Sequence, residues 1–169
     1  MTDAPPIDTA APFDLLTYID RYPAGSETRL QRLLFIGSKD SEVSAQALQL
    51  AELHFRDTQN VRGYKQTFGS DKGAGGIVYD AAWVQDTERL TQSALETLEA
   101  RLSAAKAQLQ KEAIRTAYLA IGDFLAKRGD LPAALRAVMR SREYCTTRAQ
   151  TAHVCLQVID MAMNMSKCC

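Results

Sequence analysis

The sequence predicts an all-α protein in which antiparallel helical hairpins stack as a tetratricopeptide-like, right-handed solenoid. Apolar residues recur at helical spacing through most of the chain, and glycine and proline fall between those segments. In addition, residues 118–141, YLAIGDFLAKRGDLPAALRAVMRS, fit one tetratricopeptide helix pair. With Gly122 at the glycine position of the repeat, its other packing positions hold residues of suitable size: Tyr118, Ile121, Leu125, Ala134, Val138 and Ser141.

Four segments are expected along the chain. Residues 1–12 contain three prolines and several small or acidic residues, which predicts a disordered lead-in. An N-terminal helical region follows over 13–68, and a Gly-rich linker over 69–79. Residues 80–169 are expected to form a long helix and then tetratricopeptide-like repeats, the last of which is incomplete.

Three helices are predicted in the N-terminal region. The first has the apolar stripe Phe13, Leu16, Ile19 and Tyr22, and stops at Pro23 and Gly25. Ser26 is expected to cap the second, which ends at Gly37 and has an apolar side formed by Leu30, Leu33, Leu34 and Ile36. The third covers about 41–57 with an apolar face of Val43, Ala47, Leu50, Ala51 and His54. A histidine on such a face is more typical of a core border than of a metal ligand.

The stretch FGSDKGAGG, residues 68–76, raises the possibility of a phosphate-binding loop. The spacing G-x-x-x-x-G-K-[ST] is absent, and no predicted strand precedes the stretch. A flexible linker is therefore the better interpretation.

A long helix is predicted over 80–110. Its leucine-rich stripe steps by three and four residues through Leu95, Leu98, Leu102, Ala105 and Leu109. Such a stripe can dimerise or can pack on neighbouring helices of its own chain, and the second arrangement is favoured in a helical repeat protein.

The helix pair that follows depends on small residues at its contact. Gly122 and Ala134 are expected to let the two helix axes approach closely. Gly129 and Asp130 supply the turn, and Pro132 lies in the first turn of the second helix, where its missing N–H is tolerated.

Charge excludes some classes of partner. Twenty basic and twenty acidic residues cancel, which removes the global argument for binding nucleic acid or an anionic membrane. The distribution is uneven, because residues 1–60 have a net charge of −4 and residues 127–148 a net charge of +4. The N-terminus has no signal-peptide pattern and no apolar run approaches 18 residues, so an intracellular protein is expected.

No catalytic, cofactor or metal site is predicted. The four cysteines, Cys145, Cys155, Cys168 and Cys169, could be combined with His153 as a zinc site, but no C-x-x-C pair is present. Free thiols are the preferred interpretation, with Cys145 and Cys155 buried as small apolar groups. The two histidines are far apart in the sequence and the carboxylates follow helix-surface spacing, which favours a non-enzyme.

At the level of motifs, the chain from Phe13 onward resembles a family formed by COP-9 signalosome subunit 1 and the proteasome lid subunit Rpn-seven. The resemblance rests on FDLLTYIDRYPAGSETRLQRLLFIG, AAWVQDTERL, KEAIR, the GDF and GDL pair, REYCTT and AHVCLQVIDMAM. The REYCTT motif favours the signalosome side of the family. The sequence departs from the family pattern at Gly63, at Gly69–Gly76 and at Ala149–Gln150.

The resemblance implies a non-catalytic helical scaffold in a complex that removes a ubiquitin-like modifier from cullin ligases, with the metalloprotease in a different subunit. It implies other signalosome subunits and cullin ligase components as partners, and a location in nucleus and cytoplasm. The family's later repeats and its PCI domain have no counterpart here, so an N-terminal fragment or incomplete gene model is expected. The final apolar helix would then lack a partner and self-associate through Val154, Leu156, Val158, Ile159, Met161 and Met163.

Two other functions stay open. The chain could be a proteasome lid subunit, or a freestanding tetratricopeptide adaptor that clamps an acidic peptide in its groove. Lys127, Arg136 and Arg140 are the candidate protein-binding residues for such a partner, with ordinary solvated surface charge as the alternative.

Overall fold

A computed structural model describes residues 13–39, 42–69 and 76–166 of the chain. All regular structure in these three stretches is helical, which confirms the predicted all-α class. The predicted lead-in 1–12 lies outside the described residues, as do residues 70–75 of the predicted linker. The α-helices, in order, are α1 (Leu15–Ile19), α2 (Glu27–Gly37), α3 (Ser44–Thr58), α4 (Val61–Phe68), α5 (Ala81–Ala107), α6 (Lys111–Lys127), α7 (Leu131–Ser141) and α8 (Arg148–Ser166), with a 3₁₀ turn at Arg142–Tyr144 before α8.

Helix α1 buries a different face from the predicted one. Asp14 caps it by accepting a hydrogen bond from the Leu16 N–H at 3.0 Å. Leu15 and Ile19 are buried, whereas Leu16 and Phe13 are about half exposed. The predicted stripe is therefore wrong at Phe13 and Leu16. A helix of five residues makes little more than one turn, and packing on α2 decides which side of it is buried.

Helices α2 and α3 form the first antiparallel hairpin. Ser26 caps α2 by accepting from the Arg29 N–H at 3.2 Å, and α2 ends at Gly37, both as predicted. Helix α3 occurs near its predicted position, but its buried face is rotated from the predicted one. The buried residues of α3 are Ala47, Leu48, Ala51, Phe55 and Thr58.

Helix α4, which was not predicted, carries the aromatic centre of the N-terminal core. Tyr64 and Phe68 are fully buried, and the Tyr64 ring centroid lies 5.2 Å from that of Phe68 and 4.9 Å from that of Trp83. The Tyr64 hydroxyl accepts a hydrogen bond from the Asp80 N–H at 3.1 Å. Because Asp80 is the cap of α5, this contact joins the N-terminal hairpin to the start of the long helix.

Helix α5 packs along α6 within the chain. Leu102 and Ala105 cluster with Ile114 and Tyr118 of α6. The helix ends at Ala107, so the predicted extension to residue 110 is wrong. Leu109 adopts a left-handed φ of +54° in the turn and is 84% exposed, which removes it from the predicted stripe.

Helices α6 and α7 meet at Gly122. A Cβ atom built on Gly122 would lie 2.5 Å from Cγ2 of Val138, so no larger residue fits without movement. Ala134, Val138 and Ser141 of α7 are completely buried, Ile121 of α6 is nearly so, and Leu125 is partly buried. Tyr118 is also nearly buried, but in the cluster with α5. The turn uses Gly129 at φ +78°, and Asp130 caps α7. Each helix from α5 to α8 contacts the next one in sequence.

Among the described helices, none combines the length and apolarity that a bilayer crossing needs.

Candidate protein interaction surfaces

A polar contact holds the N-terminal helices against the α6–α7 turn. The Arg128 guanidinium donates to the side-chain oxygen of Gln59 and, at 3.1 Å, to the backbone oxygen of Phe124. It also stacks on the Phe124 ring at 3.6 Å from the ring centroid. Burial lowers the pKa of Arg128 from its ordinary value. This contact fixes how the α3–α4 turn sits on the second half of the chain. It was not predicted, since residues 69 positions apart leave no local signal.

Beside this contact lies a groove of about 600 Å³. The loop before α2 forms one wall, and α6 and α8 form the other, with Asp123, Lys127 and Asp160 among the lining side chains. His54 lines the groove from α3, and burial lowers its pKa. Burial raises the pKa of Asp123, while His153 acts in the opposite direction. The groove is thus of mixed charge, and no wall of it is uniformly basic.

The three candidate cations do not share this groove. Lys127 lines it from the end of α6. Arg136 and Arg140 occupy exposed positions one turn apart on α7 and do not line it. Neither arginine forms an ion pair within the described stretches, so both guanidinium groups are available to a partner. A clamp that uses all three cations at once has no common groove in the described fold.

Helix α8 presents apolar side chains on two sides. Val154 and Met161 are buried in a cluster with Ala134 and Val138 of α7, so the prediction that they are exposed is wrong. Leu156, Ile159 and Met163 are 66%, 54% and 55% exposed. Their exposure leaves a row of large apolar groups at the protein surface, and the helical spacing of that row was readable in the sequence.

A second cavity of about 660 Å³ lies between α7 and α8 next to this row. Its lining is mostly apolar and includes the charged side chains of Arg142 and Glu143. The lining apolar residues are Met139, Val154, Val158 and Ile159. A depression of this kind accommodates side chains from another helix.

The thiols give no sign of a metal centre in the described ranges. Cys145 is half-buried and its Sγ donates to the Ser141 carbonyl at 3.7 Å, whereas Cys155 is exposed and not buried as predicted. No group of three or more His, Cys, Asp or Glu side chains there could hold a metal ion. Cys168 and Cys169 lie outside the described residues.

The helices from the cap of α5 to the end of α8 also carry the family signature. The family model of 26S proteasome subunit RPN7 matches residues 80–168, just over half of the chain. The chain belongs to this family. The matched residues include those of the Gly122 contact between α6 and α7, and all of helix α8.

Curated relatives extend the similarity to the N-terminal helices. The chain is 29% identical over 167 residues to COP9 signalosome complex subunit 1 of Arabidopsis thaliana, covering 96% of this chain and 37% of the relative. It is 28% identical over 152 residues to the subunit 1 of Schizosaccharomyces pombe, covering 89% and 36%. Subunit 1b of Drosophila melanogaster is 35% identical over 87 residues, covering 52% and 17%. The chain therefore spans little more than a third of the length of the first two relatives and about a sixth of the third.

Proposed function

We propose that this chain is a non-catalytic scaffold segment of a COP9 signalosome complex. Its helices α5 to α8 form a tetratricopeptide-like, right-handed stack that other subunits bind. The expected partners are other signalosome subunits and cullin ligase components, in nucleus and cytoplasm. The complex removes a ubiquitin-like modifier from cullin ligases, with the metalloprotease activity in a different subunit.

The observation that carries this proposal is the continuous packing of α5 through α8 within the residues matched by the RPN7 family model. A run of helices that each contact the next builds an extended surface instead of an enclosed pocket. Such a surface is suited to binding proteins. The relatives named above are named as signalosome subunits, which favours the signalosome over the proteasome lid.

The exposed arginines of α7 are the proposed docking residues. They belong to residues 127–148, whose net charge is +4. Arg136 and Arg140 have no internal ion pair to lose in the described structure, so an acidic surface on a partner subunit could bind both without displacing a contact of this chain.

The test is co-purification of the tagged chain from cells with the double change Arg136→Glu and Arg140→Glu. The matched control is Arg62→Glu with Arg101→Glu, which alters the same net charge at exposed positions of α4 and α5. Melting and helicity should hardly change in either variant, because exposed charges contribute little to stability. The α7 variant should recover less of the signalosome subunits at low salt, and the control should match the parent.

Equal recovery with both variants would remove the docking role of α7. Recovery of lid subunits in place of signalosome subunits would assign the chain to the proteasome lid. Recovery of one acidic peptide ligand and no complex would support the freestanding adaptor.

A further inference from the structure

The apolar core of the described residues is divided between two parts of the chain. One cluster joins α1 to α4 with the first turn of α5 and reaches Val84; this part is called the N-terminal body below. The other clusters begin at Leu102, near the end of α5, and include residues of α6, α7 and α8; this part is called the stack. Within the described ranges, no apolar residue belongs to clusters of both parts. Each part can therefore keep its own core if the two move relative to each other.

Helix α5 joins the two parts. Its 27 residues span about 40 Å at the usual rise per residue. The fully buried residues of α5 are Val84 and Thr87 near one end and Ala105 near the other, so residues 88–104 are half-buried or exposed. Long helices bend through small changes in their backbone hydrogen bonds. A small bend of α5 can thus change the angle between the N-terminal body and the stack.

The two parts also meet at two turns, α3–α4 and α6–α7. A Cβ atom built on Gly129 would collide with Nδ2 of Asn60, so the turns approach closely there. Arg128 closes this contact by donating a hydrogen bond to the Gln59 side chain. Asn60 and Gly129 line both the 600 Å³ groove described above and a second groove of about 610 Å³ among α2, α4 and the start of α7. The contact between the turns therefore stands between two open grooves.

The Arg128 contact has the character of a bond that opens before either core unfolds. Its acceptors, the side-chain oxygen of Gln59 and the carbonyl of Phe124, are neutral. Arg128 forms no ion pair with a described residue, and its buried Nε has no acceptor among the residues described. A guanidinium that loses water without gaining a carboxylate recovers little of its desolvation cost. Breaking this contact therefore costs less than opening an apolar core.

We propose that Arg128 is a latch that sets the angle between the N-terminal body and the stack. When its contact with Gln59 breaks, the two turns separate, α5 bends, and both parts keep their helices and their cores. The two grooves then become one cleft. The latch goes beyond the scaffold function proposed above, and it is tested on the purified chain alone, so its failure would leave that function standing.

Distances between spin labels report the angle. All four cysteines are first replaced, by Cys145→Ala, Cys155→Ser, Cys168→Ser and Cys169→Ser. Labels are then attached after Leu53→Cys on α3 and Arg136→Cys on α7, both exposed positions. Double electron–electron resonance should give one narrow distance distribution for this protein. Adding Arg128→Ala should broaden the distribution about twofold, with unchanged helicity by circular dichroism. A label pair within the stack, at the exposed Ser103 and at Arg136, should show no change.

A second variant breaks the latch from the other side. Gln59 has a left-handed φ of +54°, which glycine adopts freely, so Gln59→Gly removes the acceptor and preserves the turn. It should broaden the distribution as Arg128→Ala does, and the double variant should broaden it no further, because both changes break one contact. The matched control is Arg29→Ala. The acceptors of Arg29, the Tyr22 carbonyl and the Asp20 carboxylate, lie in its own N-terminal body, so this variant should keep the parent distribution.

Three results would overturn the latch. The first is a parent-like distance distribution in both Arg128→Ala and Gln59→Gly. The second is an equal broadening in Arg29→Ala, which would show general loosening of the chain. The third is loss of helicity in Gln59→Gly, which would make the contact part of one cooperative core. If Arg128→Ala alone loses helicity, the distribution of the folded Gln59→Gly variant decides between the latch and its absence.

Discussion

The substitution Gly122→Ala tests the closest contact between α6 and α7. The added methyl would lie 2.5 Å from Cγ2 of Val138 and 3.4 Å from the carbonyl oxygen of Ala134. Val138 is fully buried and has no solvent space to move into. Overpacking of this kind costs about 1–3 kcal/mol. Alanine is favoured over glycine in a helix by about 1 kcal/mol. The expected net loss of stability is about 1 kcal/mol, or about 2–4 °C in Tm.

A double-mutant cycle separates the clash from other effects. Val138→Ala alone should destabilise the chain because it leaves a cavity. In the double variant, the methyl at position 122 occupies part of that cavity, so the loss should be smaller than the sum of the two single losses by about 1 kcal/mol or more. Urea denaturation followed by circular dichroism measures all four proteins. Effects that add to within about 0.5 kcal/mol would refute the Gly122–Val138 contact.

Two further predictions concern buried groups. Ala134→Glu should lower the free energy of unfolding by several kcal/mol and partly unfold the helices, since it places an unpaired carboxylate at a position with no exposure. A thermal midpoint within a degree or two of the parent would show that Ala134 is not at the interface between α6 and α7. Burial lowers the pKa of His54 below its ordinary value of about 6.5, so protonation of His54 favours the unfolded chain. The contribution of neutral His54 to stability should therefore be complete above about pH 6.5 and be lost as the pH falls through the folded-state pKa. Melting at about pH 7.5 and about pH 5.5 should show a smaller acid loss in His54→Gln than in the parent, and equal losses would contradict this assignment.

Sequence reasoning succeeded where the determinants are local. The Ser26 cap, the end of α2 at Gly37 and the turn at Gly129 each follow from one residue whose chemistry suits that position. The Gly122 contact was accessible for a related reason. A helix pair that closes on a glycine carries its packing pattern within about 20 residues of sequence.

Sequence reasoning failed where contacts between distant parts of the chain determine whether a helix forms or which of its sides is buried. Helix α4 contains Gly63 and is followed by Gly69, and no apolar stripe was identified for it within the predicted helical region 13–68. Tyr64 and Phe68 nevertheless hold it in an aromatic core. The short helix α1 gives too few residues to define its buried side. For α8, the sequence predicted one exposed apolar stripe, whereas the structure divides the apolar residues between two opposite sides. Only the contact with α7 identifies which of them are buried.

The most direct test of the scaffold assignment is the composition of the complex that the tagged chain enters in cells. Size-exclusion chromatography followed by mass spectrometry of the tagged fractions measures it. The account predicts that the chain elutes at the size of a multisubunit assembly together with other signalosome subunits. Elution of all the tagged protein as a monomer or dimer, without any of those subunits, would contradict the account.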